Sequence, residues 1–394
     1  MLREHYRFFV GPLLESHKLV VGYCRPMSNS HKIRVPRQAQ WACRSCAACC
    51  HGYEYGPVEK ETIDVLKEKK IEELWPPAQE GWLQVQQGQN GQEAYFLLHR
   101  NGHCVFLRPD KLCAIHAMWG EEAKPGFCRE FPHHIVHDPK GLVVAIRPTC
   151  KGLIESFDDG DPIFDKSLLE LPRVVPRQVF RPAMVSVFPG IKVSLDQWME
   201  WEEKILDQVN VRIESPQISL SRVRGILAVL SGAQLPTPNS ERFDVATRAL
   251  VVTLHKVMVR VMAQAPPGKE HQVAFAAEAT ERLGLVLDRM EEGRETPAMD
   301  ERGKRYFHLL LRSWILTKRF QAMGGVAEGL GDFILGVTVS RLLANPTDGV
   351  VQGQDMAPIF ADWTRFVAID MVQHVLRAGR PALLDLFLHA PSKQ

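Results

Sequence analysis

Cys43-Arg-Ser-Cys46-Ala-Ala-Cys49-Cys50 is the densest stretch of chemistry in the chain, and the organisation of everything around it follows from how those thiols are used. The C-x2-C-x2-C spacing lets a short loop wrap its sulfurs round one compact centre, as bacterial ferredoxin runs do with a distal further cysteine. Zinc sites more often draw on separated C-x2-C pairs, so the spacing favours an iron–sulfur cluster, of the 4Fe-4S type, with zinc as the alternative. Inert core thiols are the bland reading, and free cysteines of a core are not normally packed this closely. Adjacent Cys49 and Cys50 are poorly placed to serve one small site equally. That hints at a second role for one of them and leaves open whether there are one or two centres.

The chain has nine cysteines, at 24, 43, 46, 49, 50, 104, 113, 128 and 150, and none beyond. Moving outward from the run, Cys104-Val-Phe-Leu-Arg-Pro-Asp-Lys-Leu-Cys113 reads as a hairpin turning at Arg108-Pro109-Asp110-Lys111. Pairing Leu107 with Leu112 sets Cys104 opposite Ile115 and Phe106 opposite Cys113, so both thiols face one side as diagonal neighbours. Pro125-Gly-Phe-Cys128-Arg129-Glu-Phe-Pro132 and Arg147-Pro148-Thr-Cys150 add two single ligands in loops stiffened by proline. Arg129 reads as a balance for thiolate charge, a grip on a carboxylate, or an ordinary ion pair. His103 and His116 are candidates only for supporting a ligand through hydrogen bonds. Between Ser16 and Tyr53 there is no acidic residue, while Lys18, Arg25, Lys32, Arg34, Arg37 and Arg44 are cationic, a basic arm fit either for solvent or for an anionic cluster.

With 394 residues and 45% hydrophobic content the chain can bury a large core without disulfides. A net charge of +2 gives no global reason to expect nucleic acid, and no uncharged apolar run is long enough to span a membrane. The start lacks a signal-peptide layout, and clustered thiols in a chain of this size point to metal or redox work in the cytoplasm. The expected fold class is α+β: a small cysteine-rich metal-binding α/β module followed by a mainly α-helical domain. The expected division is a basic arm over 1–42, the module over 43–155, a proline-rich linker over 156–190 and a helical domain over 191–394. Helices are expected near 194–209, 220–231, 240–265, 271–291, 303–322, 327–344 and 358–378. The 240–265 helix starts at Asn239-Ser240, buries Val251, Leu254, Met258 and Val261, and stops at Pro266-Pro267-Gly268.

The pattern resembles the CxxCxxCC cysteine-cluster family of zinc- or iron-chelating proteins, which includes flagellin lysine N-methylases. The matching residues are Cys43, Cys46, Cys49 and Cys50; Cys104-x-Phe-Leu; Asp110-x-x-Cys113-x-Ile-His116; Gly120-x-x-Ala-Lys-Pro125-x-x-Cys128-Arg129-x-Phe131-Pro132; and Cys150. The resemblance covers about 43–152. It implies a metal module, with S-adenosylmethionine-dependent methylation of a protein lysine as the activity of the methylase-like members. The chain carries no Gly-rich strand–turn–helix loop for an adenosyl group, since no strand leads into Met323-Gly324-Gly325-Val326. An enzyme of this kind needs a carboxylate or tyrosine to take the amine proton, and Tyr53, Glu54 and Tyr55 are the nearest. The other function class is a non-catalytic metal or redox sensor, or structural protein, whose helical domain offers a partner surface. A cysteine hydrolase, for example Cys128 with His133, explains fewer of the thiols. Spacing does not define an oligomeric state.

Overall fold

The strand-like runs of the first 180 residues and the amphipathic periods that follow become two kinds of structure. The computed structural model describes residues 33–36, 39–51, 57–87, 92–163, 178–210, 214–264, 270–344, 349–367 and 370–391. Its contacts divide an α+β protein into a cysteine-bearing unit, which includes Ala39–Val179, and a helical unit, which includes Phe180–Gln394.

In the cysteine unit, β1 (Ile33–Arg34) and β2 (Gln40–Trp41) precede the thiol run. After it come α1 (Lys60–Glu68), α2 (Ile71–Leu74), the hairpin of β3 (Leu83–Gln87) with β4 (Glu93–Leu97), and the short pair β5 (His99–Arg100) and β6 (His103–Cys104). Helices α3 (Ala114–Trp119) and α4 (Gly126–Glu130) lead into β7 (His133–Asp138) and β8 (Gly141–Ile146), then α5 (Gly152–Glu155), β9 (Asp161–Pro162) and β10 (Gln178–Val179). The largest sheet has the order β1-β8-β7-β10. Its centre is β8, Gly-Leu-Val-Val-Ala-Ile, buried at every position as a strand covered on both faces must be. The tight β7–β8 turn is fixed by Asp138, whose carboxylate accepts from the Lys140 N–H at 3.0 Å and pairs with Arg34. Gly141 supplies the positive φ of 123°. A separate apolar cluster, with Leu66, Ile71, Trp82, Phe106, Ala114 and Ile115, surrounds the thiols.

The hairpin expected between Cys104 and Cys113 forms with a different register. Leu107 bridges Cys113 instead of Leu112. Lys111 adopts a left-handed φ of 65°, which adds a residue to the turn, and the Arg108 N–H bonds the Leu112 carbonyl at 2.9 Å. From Ala114 the chain is helix α3 and not a return strand, so Cys104 does not face Ile115 as a cross-strand pair.

In the helical unit, the hairpin β11 (Met184–Phe188) and β12 (Ile191–Ser194) feeds α6 (Leu195–Asn210), α7 (Pro216–Ser231), α8 (Ser240–Gln264) and α9 (Glu270–Glu291). The proline-rich stretch expected as a linker therefore carries β9, β10 and β11 among its described residues. Asn239 caps α8 by accepting the Arg242 N–H at 2.9 Å, and Val251, Leu254 and Met258 are buried. The remaining elements are β13 (Ala298–Met299), α10 (Glu301–Leu316), α11 (Val326–Ala344), β14 (Val350–Val351), α12 (Gly353–Phe366), α13 (Asp370–Ala378) and α14 (Arg380–His389).

Two sequence-derived helices are divided. The one expected over 303–322 ends at Leu316 because Lys318 turns left-handed at φ 57°, and a short 3-10 turn follows over Arg319–Met323. The helix expected over 358–378 begins at Gly353 and breaks after Phe366, leaving Pro358 inside α12. The Lys318 ammonium is fully buried, 2.6 Å from the Glu202 carboxylate and 2.8 Å from the Leu316 carbonyl. Helix α11 is buried on every side, and two of its glycines allow the close approach of neighbours. A Cβ on Gly331 would stand 1.9 Å from the Leu383 carbonyl oxygen, and one on Gly336 would stand 2.4 Å from the Trp363 ring. Among the described residues no helix is long and apolar enough to cross a membrane.

Candidate metal centre

The thiol run is held at both ends by backbone that is remote in sequence. At its start, β2 pairs antiparallel with β9, Trp41 opposite Asp161. The Ala42 N–H donates to the Ser156 hydroxyl at 2.8 Å, and the Arg44 guanidinium bonds the Glu155 carbonyl at 3.3 Å and pairs with Asp159. At its end, His51 bridges His103 beside β6, their rings 5.8 Å apart. Between the anchors Ser45 and Ala47 both take left-handed φ, 48° and 59°, on either side of Cys46. Each costs about 1–2 kcal/mol for a residue with a Cβ, so the loop is held coiled by what surrounds it. Ala48–Cys50 then closes a 3-10 turn.

Cys50, Cys104, Cys113 and Cys128 come from four stretches and join one apolar cluster. Cys104 leaves β6, and Cys113 precedes the first turn of α3. Cys128 sits within α4, whose first N–H, that of Gly126, donates to the Glu59 carboxylate at 3.2 Å. Cys49 lies alongside, its Sγ 3.8 Å from that of Cys50. Cys150 is buried elsewhere in the unit, under the Trp41 indole, which donates to its Sγ at 3.3 Å. Cys46 is half-buried and Cys43 exposed.

Burial and repulsion between neighbouring thiolates raise Cys50, Cys104, Cys128 and Cys150, favouring their protonated forms. Contact with Cys49, then burial, raises Cys50. Burial pushes Cys104 up to about 12, opposed by the Phe106 N–H and reinforced by Cys113 and Cys49. Burial raises Cys128 well above the usual thiol range; Cys104, Cys113 and Cys49 add to this, and Lys124 opposes it. Cys150 is pushed up to about 12 by burial, with Trp41 opposing and Cys46 adding. A metal ion reverses this preference by replacing the proton on each sulfur it binds.

All eight described cysteines are free thiols. Their donor chemistry, soft sulfur throughout, fits zinc or iron–sulfur equally. Among the described residues no three His, Cys, Asp or Glu side chains converge on a common point as a bound ion requires, so the thiols are neighbours and not a closed ligand set. His103 bonds the Asn101 carbonyl at 3.2 Å, and His116 is exposed. Arg129 takes the ion-pair role, 3.3 Å from Glu122. Tyr53, Glu54 and Tyr55 lie outside the described residues. Trp41, Glu59 and Lys124 are the residues that spacing alone missed. Only the position of Trp41, two residues before the first cysteine of the run, offered a signal.

Thiols gathered from separate stretches of a small α/β unit are the donors that a metal-chelating module uses. Residues 42–151 match the CxxCxxCC family model, described as a "putative zinc- or iron-chelating domain". No curated protein and no solved structure matches the chain.

Proposed function

We propose that this chain is a metalloprotein that binds an iron–sulfur cluster, with zinc the alternative, through Cys50, Cys104, Cys113 and Cys128. The observation that supports this is the gathering of four thiols from four separate stretches into one apolar cluster with no disulfide among them. The C-x2-C-x2-C run favours iron–sulfur over zinc. Glu59, which holds the start of α4, and Lys124, whose charge acts on Cys128, orient or neutralise what the cysteines hold, and the metal would supply electron transfer or a structural clamp. Anaerobic purification with visible absorption and with iron, sulfide and zinc analysis tests the reading. Stoichiometric zinc without sulfide would move the assignment to zinc, and a chain that takes up neither metal would refute it.

The family resemblance extends the reading to S-adenosylmethionine-dependent methylation of a protein lysine, in the cytoplasm. Its test is binding of S-adenosylmethionine by the metal-loaded chain and methyl transfer to a lysine-bearing protein. Failure to bind with the metal site full leaves a non-catalytic metal protein.

A further inference from the structure

We propose that His308 of α10 is an acid-sensitive latch: its neutral ring joins the end of α6 to the start of α7, and protonation releases the start of α7. The latch lies in the helical unit and uses none of the thiols, so it stands apart from the metal reading.

The hydrogen bonds define the state of the ring. His308 is 1% exposed and Ser219 2% exposed, and Nε2 lies 3.1 Å from the Ser219 Oγ. Nε2 also accepts the Glu214 N–H at 3.1 Å, while Nδ1 lies 3.3 Å from the Val209 carbonyl. A main-chain N–H only donates, so Nε2 carries no proton and Nδ1–H donates to Val209. Val209 belongs to the last turn of α6, where carbonyls lack helical partners. Glu214 stands just before the Ser215 cap of α7, where the surplus is of N–H groups. One neutral imidazole thus meets opposite needs at two helix ends, donating to the first and accepting from the second. The charged ring has two donors and no acceptor, and it serves only the first.

The partner of the charged form is already in place. The Glu214 carbonyl lies 3.2 Å from Nε2, so a protonated Nε2 exchanges the Glu214 N–H for the carbonyl of the same residue, and the Ser219 hydroxyl turns to accept. The Glu214 N–H is then left facing a like donor, which is the releasing step. Burial holds His308 below the usual histidine range, and Arg312, one turn along α10 and 3.4 Å from the same Val209 carbonyl, opposes a second cation. The Glu214 main chain and carboxylate pull the other way, the carboxylate being paired with Arg222 of α7 at 2.7 Å. Of the two packed helices, α6 presents its Val209 carbonyl to the ring and α7 its Ser219 hydroxyl. An unfolded histidine titrates near 6.5, so the folded ring stays neutral where the unfolded one charges, and the contribution of the latch is lost as pH falls below that value. The latch adjoins a groove of about 410 Å³ between α6 and α7, lined by Gln208, Arg222, Gly225, Ile226, Val229 and Leu230. Gln208 precedes Val209 and Arg222 holds Glu214, so release alters how the walls of that groove are joined.

The test is amide hydrogen exchange of the full chain, corrected for intrinsic rate and read by mass spectrometry on a peptide spanning Glu214 and Ser219, between about pH 7 and pH 5. Relative to His308→Gln, wild type should lose about tenfold in protection on acidification, the scale of one buried N–H losing its acceptor. The glutamine amide reaches the Nε2 position, offers an acceptor there and does not titrate, so its protection should stay level. Comparing the two chains removes every ionisation they share, that of Asp332 included. Protection that falls equally in both chains, or in neither, would overturn the latch. Wild type alone gives a second readout that does not depend on the variant folding. In NMR spectra of the histidine-labelled chain the His308 ring should titrate below the usual histidine range, and the Glu214 and Ser219 amide signals should move with it. A ring that titrates without moving them, or that is already charged at neutral pH, would equally overturn the proposal.

Discussion

Replacing Asp332 by Asn should make the helical unit more stable, and more so as pH rises. Asp332 is 2% exposed on the all-round buried helix α11, and its Oδ1 has no hydrogen-bond partner. Burial pushes its carboxyl up to about 7, with Arg319 pulling the other way. An aspartate in the unfolded chain titrates near 4. Between these limits the folded chain holds a proton that the unfolded chain has released, so stability falls as pH rises through the interval and stays at the lower level above about 7. A gap of about three pH units corresponds to roughly 4 kcal/mol. Asn keeps the shape and cannot ionise. The variant should match wild type near pH 4, gain steadily between about pH 5 and 7, and exceed it by up to roughly 4 kcal/mol at pH 8. The lost attraction to Arg319, which stacks 4.7 Å from the Trp314 ring centre, makes that figure a ceiling. Urea denaturation followed by circular dichroism at four pH values measures it. A variant-to-wild-type difference that does not change with pH would refute the reasoning, because a packing effect alone has no reason to follow a proton.

Lys318→Met should destabilise the helical unit by about 3–5 kcal/mol by leaving the Glu202 carboxylate buried without its cation, and adding Glu202→Leu should recover much of the loss. Equilibrium denaturation of the two single variants and the double variant reads this directly. Gly331→Ala should cost about 1–3 kcal/mol or more, because the new methyl meets the Leu383 backbone and not a movable side chain; the melting temperature is the measure. Chelation of the metal should expose the cysteine unit to protease while the helical unit, which has its own core, keeps its resistance. Equal loss of both would contradict the separation. Trp41→Phe removes the indole donor from the Cys150 sulfur and should raise the pH at which that thiol ionises, read by the pH dependence of its alkylation, with Cys128 unchanged.

The helical half was largely legible because its signals are local: a cap at Asn239, a 3.6-residue period, and Pro266-Pro267 to stop α8. Its misreadings came where a contact distant in sequence overrode the pattern. Lys318 gives up helical geometry where its ammonium is buried against Glu202, and Pro358 reads as a helix start although α12 tolerates it in its second turn. The last helix, α14, was not expected because Gly379 read as an end and not as a junction. In the cysteine unit the clustered thiols stand out from spacing, and their neighbours in the fold do not. The bond that selects the side of the run on which Cys150 lies joins Trp41 to a residue 109 positions away. The hairpin failed by one residue for a similar reason, since nothing in Arg-Pro-Asp-Lys-Leu announces which of its members will turn left-handed.

The pairing of β2 with β9 has a consequence for how such a module travels between proteins. Gln40 lies opposite Pro162 and Trp41 opposite Asp161, so the chain enters and leaves the stretch from Gln40 to Pro162 at neighbouring points. A segment whose two ends meet can be spliced into a host polypeptide at a single surface loop, because the host need open only a narrow gap to admit it. Strands β1 and β10 lie just outside that stretch and complete its main sheet, so they would have to move with it.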